Sequence, residues 1–348
     1  MKVLKSIVFL FTVLLINSCI TQKQIKKSNS FVENDADFTI AFGSCNKTTL
    51  DNLYWDDILA VKPDVFIWGG DVVYADTRDM QKMERFYNNQ KSNPDYKKVI
   101  KTIPIMGTWD NHDYGLNDGG VEFKQKKQSQ QLFLDFLDVP EDDVRRKREG
   151  VYFSEDYPVS GKVIKIIILD TRYFRTALTE ANQKGKRYKP NTYGEGTMLG
   201  TAQWKWLQDE LTNGNADYNI IMSSIQYLSE EHGFETWGNF PHEKDKFEKL
   251  LTESKAKNVI ILSGDRHISE FSKKNIKGLD YPLIDFTSSG LTHSYSSFEG
   301  EPNKYRAGDV ISETSYGLLK FYFDNEQVKF EIDGDNGSIL EELEQVYN

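Results

Sequence analysis

From residue 38 onward, short apolar runs alternate with helical periods. Phe38-Thr39-Ile40-Ala41-Phe42 predicts a first strand ending at Gly43-Ser44-Cys45. Asp51 is placed to cap a helix running through Ala60. Asp64-Val65-Phe66-Ile67-Trp68 predicts a second strand ending at Gly69-Gly70-Asp71. Ile103-Pro104-Ile105-Met106 leads into Gly107-Thr108-Trp109-Asp110-Asn111-His112-Asp113. Residues 163–169 are almost continuously aliphatic, as a central strand buried on both faces should be. Residues 201–207 read as a helix that buries Trp204 and Leu207 or their neighbours. Runs at 218–222 and 259–262 predict two more buried strands, separated by a polar helix over 243–253. The runs at 282–287, 316–323 and 327–332 alternate more and predict antiparallel strands. Residues 125–150 read as a charged excursion whose Arg145-Arg146-Lys147-Arg148 run is solvated. The sum is a single α/β domain of layered sheets.

Composition narrows the partners. Hydrophobic residues make up 39% and aromatics 13% of 348 residues, enough for a sizeable core. Lys and Arg number 43 against 53 Asp and Glu, a formal charge of −10. A nucleic-acid binder shows the opposite bias, because its affinity rests on neutralising phosphates, so no such role is expected. A phosphorylated substrate is compatible with this acidity when the site carries its own cations.

The N-terminus reads as a targeting segment. Lys2 and Lys5 precede an apolar run over residues 7–16, too short to span a bilayer and shaped like a signal-peptide h-region. Ile16-Asn17-Ser18-Cys19 then resembles a bacterial lipobox. The expectation is a lipoprotein signal peptide over 1–18, lipidation at Cys19, a lipid-anchored tether over 19–36 and a folded domain over 37–348. That predicts an extracytoplasmic, membrane-anchored protein in the periplasm or on the outer membrane. Cys19 and Cys45 are the two cysteines of the chain. With Cys19 lipidated, Cys45 has no disulfide partner, and a thiol in an oxidising compartment calls for burial or a bound metal.

Four predicted strands end in polar turns that carry metal-ligand side chains: Gly43-Ser44-Cys45, Gly70-Asp71, Asp110-Asn111-His112-Asp113 and Gly264-Asp265-Arg266-His267. In open α/β sheets, ligand sites collect outside the carboxyl ends of the strands. The order Gly70-Asp71-Val72-Val73-Tyr74, then Trp109-Asp110-Asn111-His112-Asp113-Tyr114-Gly115 with Asn117-Asp118, then Gly264-Asp265-Arg266-His267 resembles the metallophosphoesterases. The Cys45 turn, Tyr74 and Leu169-Asp170-Thr171-Arg172 make the chain similar to their PhoD-like (alkaline phosphatase D) branch, from Phe38 to the C-terminus. The resemblance implies a four-layer sandwich, with two mixed β-sheets packed face to face, flanked by helices, and the metals at the strand ends. It also implies a phosphoric ester hydrolase acting on phosphomonoesters, phosphodiesters or both, whether small molecules, polymers or lipid head groups.

The chemistry fits that resemblance. Phosphoester hydrolysis needs its phosphoryl oxygens neutralised and a water made nucleophilic, and cations sharing one carboxylate do both through a hydroxide bridging them. Asp71, between the Cys45 and Asn111 turns, is the bridging candidate. Tyr74 can turn its phenol onto the same metal. Thiolate and phenolate suit a Lewis-acidic, high-valent ion. The resemblance implies iron (Fe3+) there, with His267 completing the site. Asn111 and Asp265 offer hard oxygens for calcium (Ca2+) or another divalent cation, and Gln226 is a weaker candidate. Asn117, in a loop crowded with Asp110, Asp113 and Asp118, is a further metal candidate by resemblance, as part of a second Ca2+ site. The family block reads Trp-Asp-Asp-His, whereas Asn111 stands here in the middle, a neutral ligand in place of a charged one.

His112 is the candidate general acid for the leaving alkoxide, with Asp113 to orient its ring. Arg172, with Arg175, is placed to grip phosphate oxygens. His232 reads as a surface loop residue, His242 as a helix cap and His293 as a strand-end residue able to contact substrate. The alternative function is a non-catalytic metal-binding lipoprotein on the same fold, disfavoured because the ligand set is complete. A glycosidase using Glu230 and Glu231 ranks last, because neighbouring carboxylates point apart.

Overall fold

The computed structural model describes residues 36–254 and 256–347, so the signal peptide, the Cys19 lipidation site and most of the tether lie outside the described residues. Its strands, in chain order, are β1 (Phe38–Gly43), β2 (Val65–Gly69), β3 (Ile105–Thr108), β4 (Phe153–Val159), β5 (Lys162–Ile168), β6 (Thr179–Glu180), β7 (Tyr188–Lys189) and β8 (Tyr218–Met222). They continue with β9 (Val259–Ser263), β10 (Ser269–Lys274), β11 (Leu283–Ser288), β12 (Arg306–Ile311), β13 (Tyr316–Tyr322), β14 (Gln327–Asp333) and β15 (Ile339–Val346). The helices are α1 (Trp55–Val61), α2 (Met80–Ser92), α3 (Pro94–Thr102), α4 (Asn111–Tyr114), α5 (Lys126–Phe136), α6 (Gly200–Asn213) and α7 (Pro241–Ser254).

Two large mixed sheets result. A six-stranded sheet runs β15-β14-β13-β1-β2-β3, and a seven-stranded sheet runs β12-β10-β11-β9-β8-β5-β4. Within the first, β1, β2 and β3 are mutually parallel. Within the second, β5, β8, β9 and β11 are parallel neighbours. β11 was expected to be antiparallel; it is so only to β10 and runs parallel to β9.

Strand alternation sorts side chains into two cores. Ile40, Phe42, Val65 and Ile67 share a core with the aliphatic faces of β5, β8 and β9. Ala41, Phe66 and Trp68 turn the other way, into a core with residues of α1, α2, α3 and α5. Aromatic pairs bind the two sheets, with Phe42 of β1 meeting Phe286 of β11 edge-on at 4.8 Å. Such a pair contributes about 0.5–1.5 kcal/mol beyond its buried area. On the second sheet, Trp204 of α6 and Phe247 of α7 join the core. These layers are the sandwich the sequence implied.

Two expectations change locally. Asp51 does not cap α1, which begins after Tyr54; Asn52 Oδ1 accepts from the Tyr54 amide at 3.0 Å instead. Of the basic run at 145–148, Lys147 is exposed as expected, whereas the three arginines are partly buried against their neighbours. Arg145 forks onto Asp143 (2.9 and 2.8 Å) over the Phe153 ring, and the Arg148 guanidinium lies 3.7 Å from the Tyr152 ring centroid. Among the described residues no helix is long and apolar enough to cross a membrane.

Candidate metal centre

The parallel strands of both sheets deliver their carboxyl ends to one place. The Cys45 amide donates to the Gly70 carbonyl (3.4 Å), and the Thr108 hydroxyl donates to the Leu169 carbonyl of the second sheet (2.7 Å). Gly264 follows β9 and its amide donates to the Ser224 carbonyl. A Cβ on Gly264 would meet Ser44 Oγ at 2.5 Å and the Gly69 carbonyl at 2.9 Å, so only glycine lets the turns close this tightly. Cys45, Asp71, Asp76, Asp265 and His267 all take positive φ (62, 50, 41, 69 and 53°). Each such conformation costs about 1–3 kcal/mol outside glycine and is held where the surroundings dictate it.

The side chains converge. Sγ of Cys45, a carboxylate oxygen of Asp71 and a ring nitrogen of His267 all lie within 4.8 Å of one another. Cys45 Sγ is 3.7 Å from Asp71 Oδ2, and the Tyr74 hydroxyl is 3.0 Å from His267 Nε2. Burial pushes the Cys45 thiol well up, and the Asp71 charge adds to it. Burial also raises Asp71 to about 7, with His112 pulling down and Asp110 pushing up. Tyr74 and Asp265 are raised by burial in the same way. Acidic groups pressed together out of water keep their protons unless a cation offsets the charge, so this donor set fits a bound metal.

Asn111 fits as well. Its Oδ1 is buried without a hydrogen-bond partner, while its Nδ2 donates to Asp118 Oδ1 (3.3 Å) and, at 3.5 Å, to Asn117 Oδ1. Asn111, His112, Asn117, Asp118, Asp265 and His267 line one cleft of about 350 Å3. Those donors and that cleft are what a metal-dependent phosphoesterase requires.

The family model described as PhoD-like phosphatase matches residues 40–330. The chain belongs to the PhoD-like phosphatase family. Alkaline phosphatase D of Bacillus subtilis (strain 168) is 22% identical over 257 residues, which cover 62% of this chain and 41% of that protein. The chain therefore matches about two fifths of the length of this curated relative. A solved structure of PhoD superposes with a TM-score of 0.69 at 17% identity, covering 89% of this chain and 68% of that one. A dimetal phosphatase from Danio rerio gives 0.52 at 12% identity, covering 90% and 100%. At these identities the two structures speak for the fold.

Other expected site residues of this PhoD-like chain are placed differently. Asp113 does not touch the His112 ring; its oxygens accept the backbone N–H groups of Asp110 (2.7 Å) and Val72 (3.0 Å) and so fix the turn. Asp76 orients the ring instead, with both oxygens 2.7 and 2.8 Å from His112 Nδ1. The Tyr74 ring stacks on His112 at 4.1 Å. Arg172 is fully buried and does not reach the cleft. It pairs with Asp110 (2.6 Å) and Glu235 (2.5 Å), and Arg175 joins the same Glu235 at 2.9 Å.

In the crowded loop, Asp110 Oδ1 accepts from Arg172 while its Oδ2 is buried without a partner, Asp113 accepts from backbone amides, and Asp118 holds Arg187 (2.5 Å) and Tyr188 (2.7 Å). Gln226 turns its amide to Glu270 and Thr287, each 2.9 Å away. His232 is buried rather than on the surface, its Nδ1 accepting from the Phe234 amide at 3.0 Å. His242 Nε2 contacts the Gly196 carbonyl at 3.2 Å. His293 stands edge-on to His267 (4.4 Å) and Tyr74 (5.0 Å). Glu230 is paired with Lys244 and Lys304, which leaves no glycosidase pair.

Sequence reasoning missed Asp76, Arg187 and Arg266. Asp76 follows Asp71 by five residues, and its left-handed backbone gave no signal. Arg266 stands between Asp265 and His267 in the turn after β9, and its guanidinium pairs with Glu301 at 2.7 Å. It lines the cleft with Arg187, lies 4.3 Å from the Phe234 ring, and keeps a buried Nε–H without a partner.

Proposed function

We propose that this site hydrolyses phosphomonoesters or phosphodiesters with bound metal ions, iron held by Cys45, Asp71, Tyr74 and His267, and calcium or another divalent cation held by Asn111, Asp265 and the shared Asp71. The convergence of sulfur, carboxylate and imidazole within 4.8 Å carries the reading. Bound di- and trivalent cations supply Lewis acidity and a nucleophile at neutral pH. The protein's own groups do the rest. Asp76 holds Nδ1 of His112 as an N–H donor, so Nε2 is the nitrogen that can pass a proton to the leaving oxygen. Arg187 and Arg266, held by Asp118 and Glu301, line the cleft and offer charged donors to phosphoryl oxygens. Asn117 lines the cleft beside Asn111 and helps to aim its amide. The protein is read as a lipoprotein outside the cytoplasm, anchored through Cys19, on its N-terminal pattern alone.

The test pairs metal analysis of the full chain with hydrolysis of model mono- and diesters by the wild type and Asp71→Ala. The wild type should carry metal and cleave at least one class, and the variant should lose both. An Asp71→Ala protein with full metal content and rate would overturn the assignment. A wild type that holds metal without cleaving either class would favour the binding-protein alternative.

A further inference from the structure

We propose that Ser289 is a positioning residue of the metal centre, its hydroxyl donating to the Cys45 sulfur while its oxygen holds the backbone of His267. The inference rests on Cys45 and His267 being metal ligands.

A serine hydroxyl has one hydrogen and two lone pairs. The His267 amide donates to Ser289 Oγ at 2.7 Å, so a lone pair points there. Ser289 Oγ also lies 3.1 Å from Cys45 Sγ. No other contact to this hydroxyl is made among the described residues; a ligating Cys45 thiolate carries no hydrogen, so of the two atoms that could donate here it is the Ser289 hydroxyl that does. Ser289 is fully buried. Ser44 is the other hydroxyl nearby, but it stands 3.6 Å from the sulfur and 3.1 Å from the Ser288 carbonyl, which shares its hydrogen.

The same loop clamps the Cys45 turn through backbone, because the amides of Gly290 and Leu291 both donate to the Ser44 carbonyl (3.3 and 3.1 Å). Cys45 and His267 both sit at positive φ, and Ser289 is the side chain that ties one to the other. A donor on a ligating sulfur draws electron density from it. Such partners of metal ligands commonly carry about 10- to 100-fold in metal affinity.

The experiment is a Co2+ titration of the metal-stripped full chain, read by the near-ultraviolet sulfur-to-cobalt charge-transfer band and by affinity. Ser289→Ala should weaken Co2+ about 10- to 100-fold, because the tie between the Cys45 sulfur and the His267 backbone is lost, and should move the band to longer wavelength, because the sulfur keeps more of its charge. Ser289→Thr keeps the hydroxyl and should return the band to its wild-type position. Ser289→Gly makes the same deletion should alanine disturb packing. A band and affinity unchanged in Ser289→Ala overturn the role of Ser289, as does a band still displaced in Ser289→Thr. A wild type that shows no sulfur-to-cobalt band removes the metal-centre reading together with this one.

Discussion

Asp76→Asn removes one charge and keeps the shape of the side chain. Asp76 sits at φ 41°, a conformation asparagine adopts readily, and its backbone donation to the His112 carbonyl (3.2 Å) is untouched. The ring feels the change, since both carboxylate oxygens lie within 2.8 Å of Nδ1. Burial opposes charge on His112, but Asp71 and Asp76 outweigh it and hold the imidazole up at about 9. Cations bound at Asp71 would offset that residue's charge and leave Asp76 as the anion supporting the protonated ring. Because Asp76 is 44% exposed, solvent screening limits its loss to about one pH unit.

An amide also fixes the ring tautomer less firmly than a carboxylate. The expected loss in kcat/KM is about 10- to 100-fold for alkyl phosphoesters, less than complete removal of a general acid. Nitrophenyl esters, whose leaving group needs no proton, should change by about threefold or less. The assay is kcat/KM for both substrates from about pH 6 to 10. The folded-state value of His112 is raised, so its acid form is present below that value and lost as pH rises through it. In the variant the alkaline limb for the alkyl ester therefore moves to lower pH. Equal losses on both substrates, or an alkaline limb that stays in place, would refute the proton path.

Three further outcomes are expected. Arg172→Met strands the buried carboxylates of Asp110 and Glu235 and should cost about 3–5 kcal/mol, seen as a lower melting temperature; an unchanged one would show the cluster to be dispensable. Burial holds His232 down at about 3, with Arg266 adding to it, against about 6.5 in an unfolded chain. Its neutral ring thus supports the fold above about pH 6.5, and that support fades as pH falls toward 3, by about 2 kcal/mol at pH 5. His232→Gln should lose less stability than the wild type between pH 7 and 5, and parallel curves would exclude the effect. Cys19→Ala should release the protein from membranes, and persistent membrane association would count against lipidation.

Much of the fold was legible in the chain because its central strands are apolar on both faces. Burial on two sides leaves no room for polar residues, so the runs of β2, β5, β8 and β9 announced themselves. The strand-end turns carrying Cys45, Asp71, Asn111, Asp265 and His267 stood out for the same reason, as polar residues that break off an apolar run. The helices α2 and α3 went unread, because polar residues dominate them and they cover the core with few side chains such as Met83, Tyr87 and Val99.

Partnership was settled by the tertiary structure. Sequence spacing favoured Asp113 as the partner of His112, one residue away, yet in a helical turn adjacent residues point apart. The left-handed backbone at Asp76 brought a more distant carboxylate to the ring. Arg172 follows a strand end as a phosphate-binding residue should, and only packing showed its guanidinium enclosed between Asp110 and Glu235. Ser289 lies 244 residues from Cys45, and no local pattern encodes that contact. Residue type and periodicity are local properties that a sequence displays directly. Which charge meets which depends on how two sheets close over one another, and that is decided by the whole core at once.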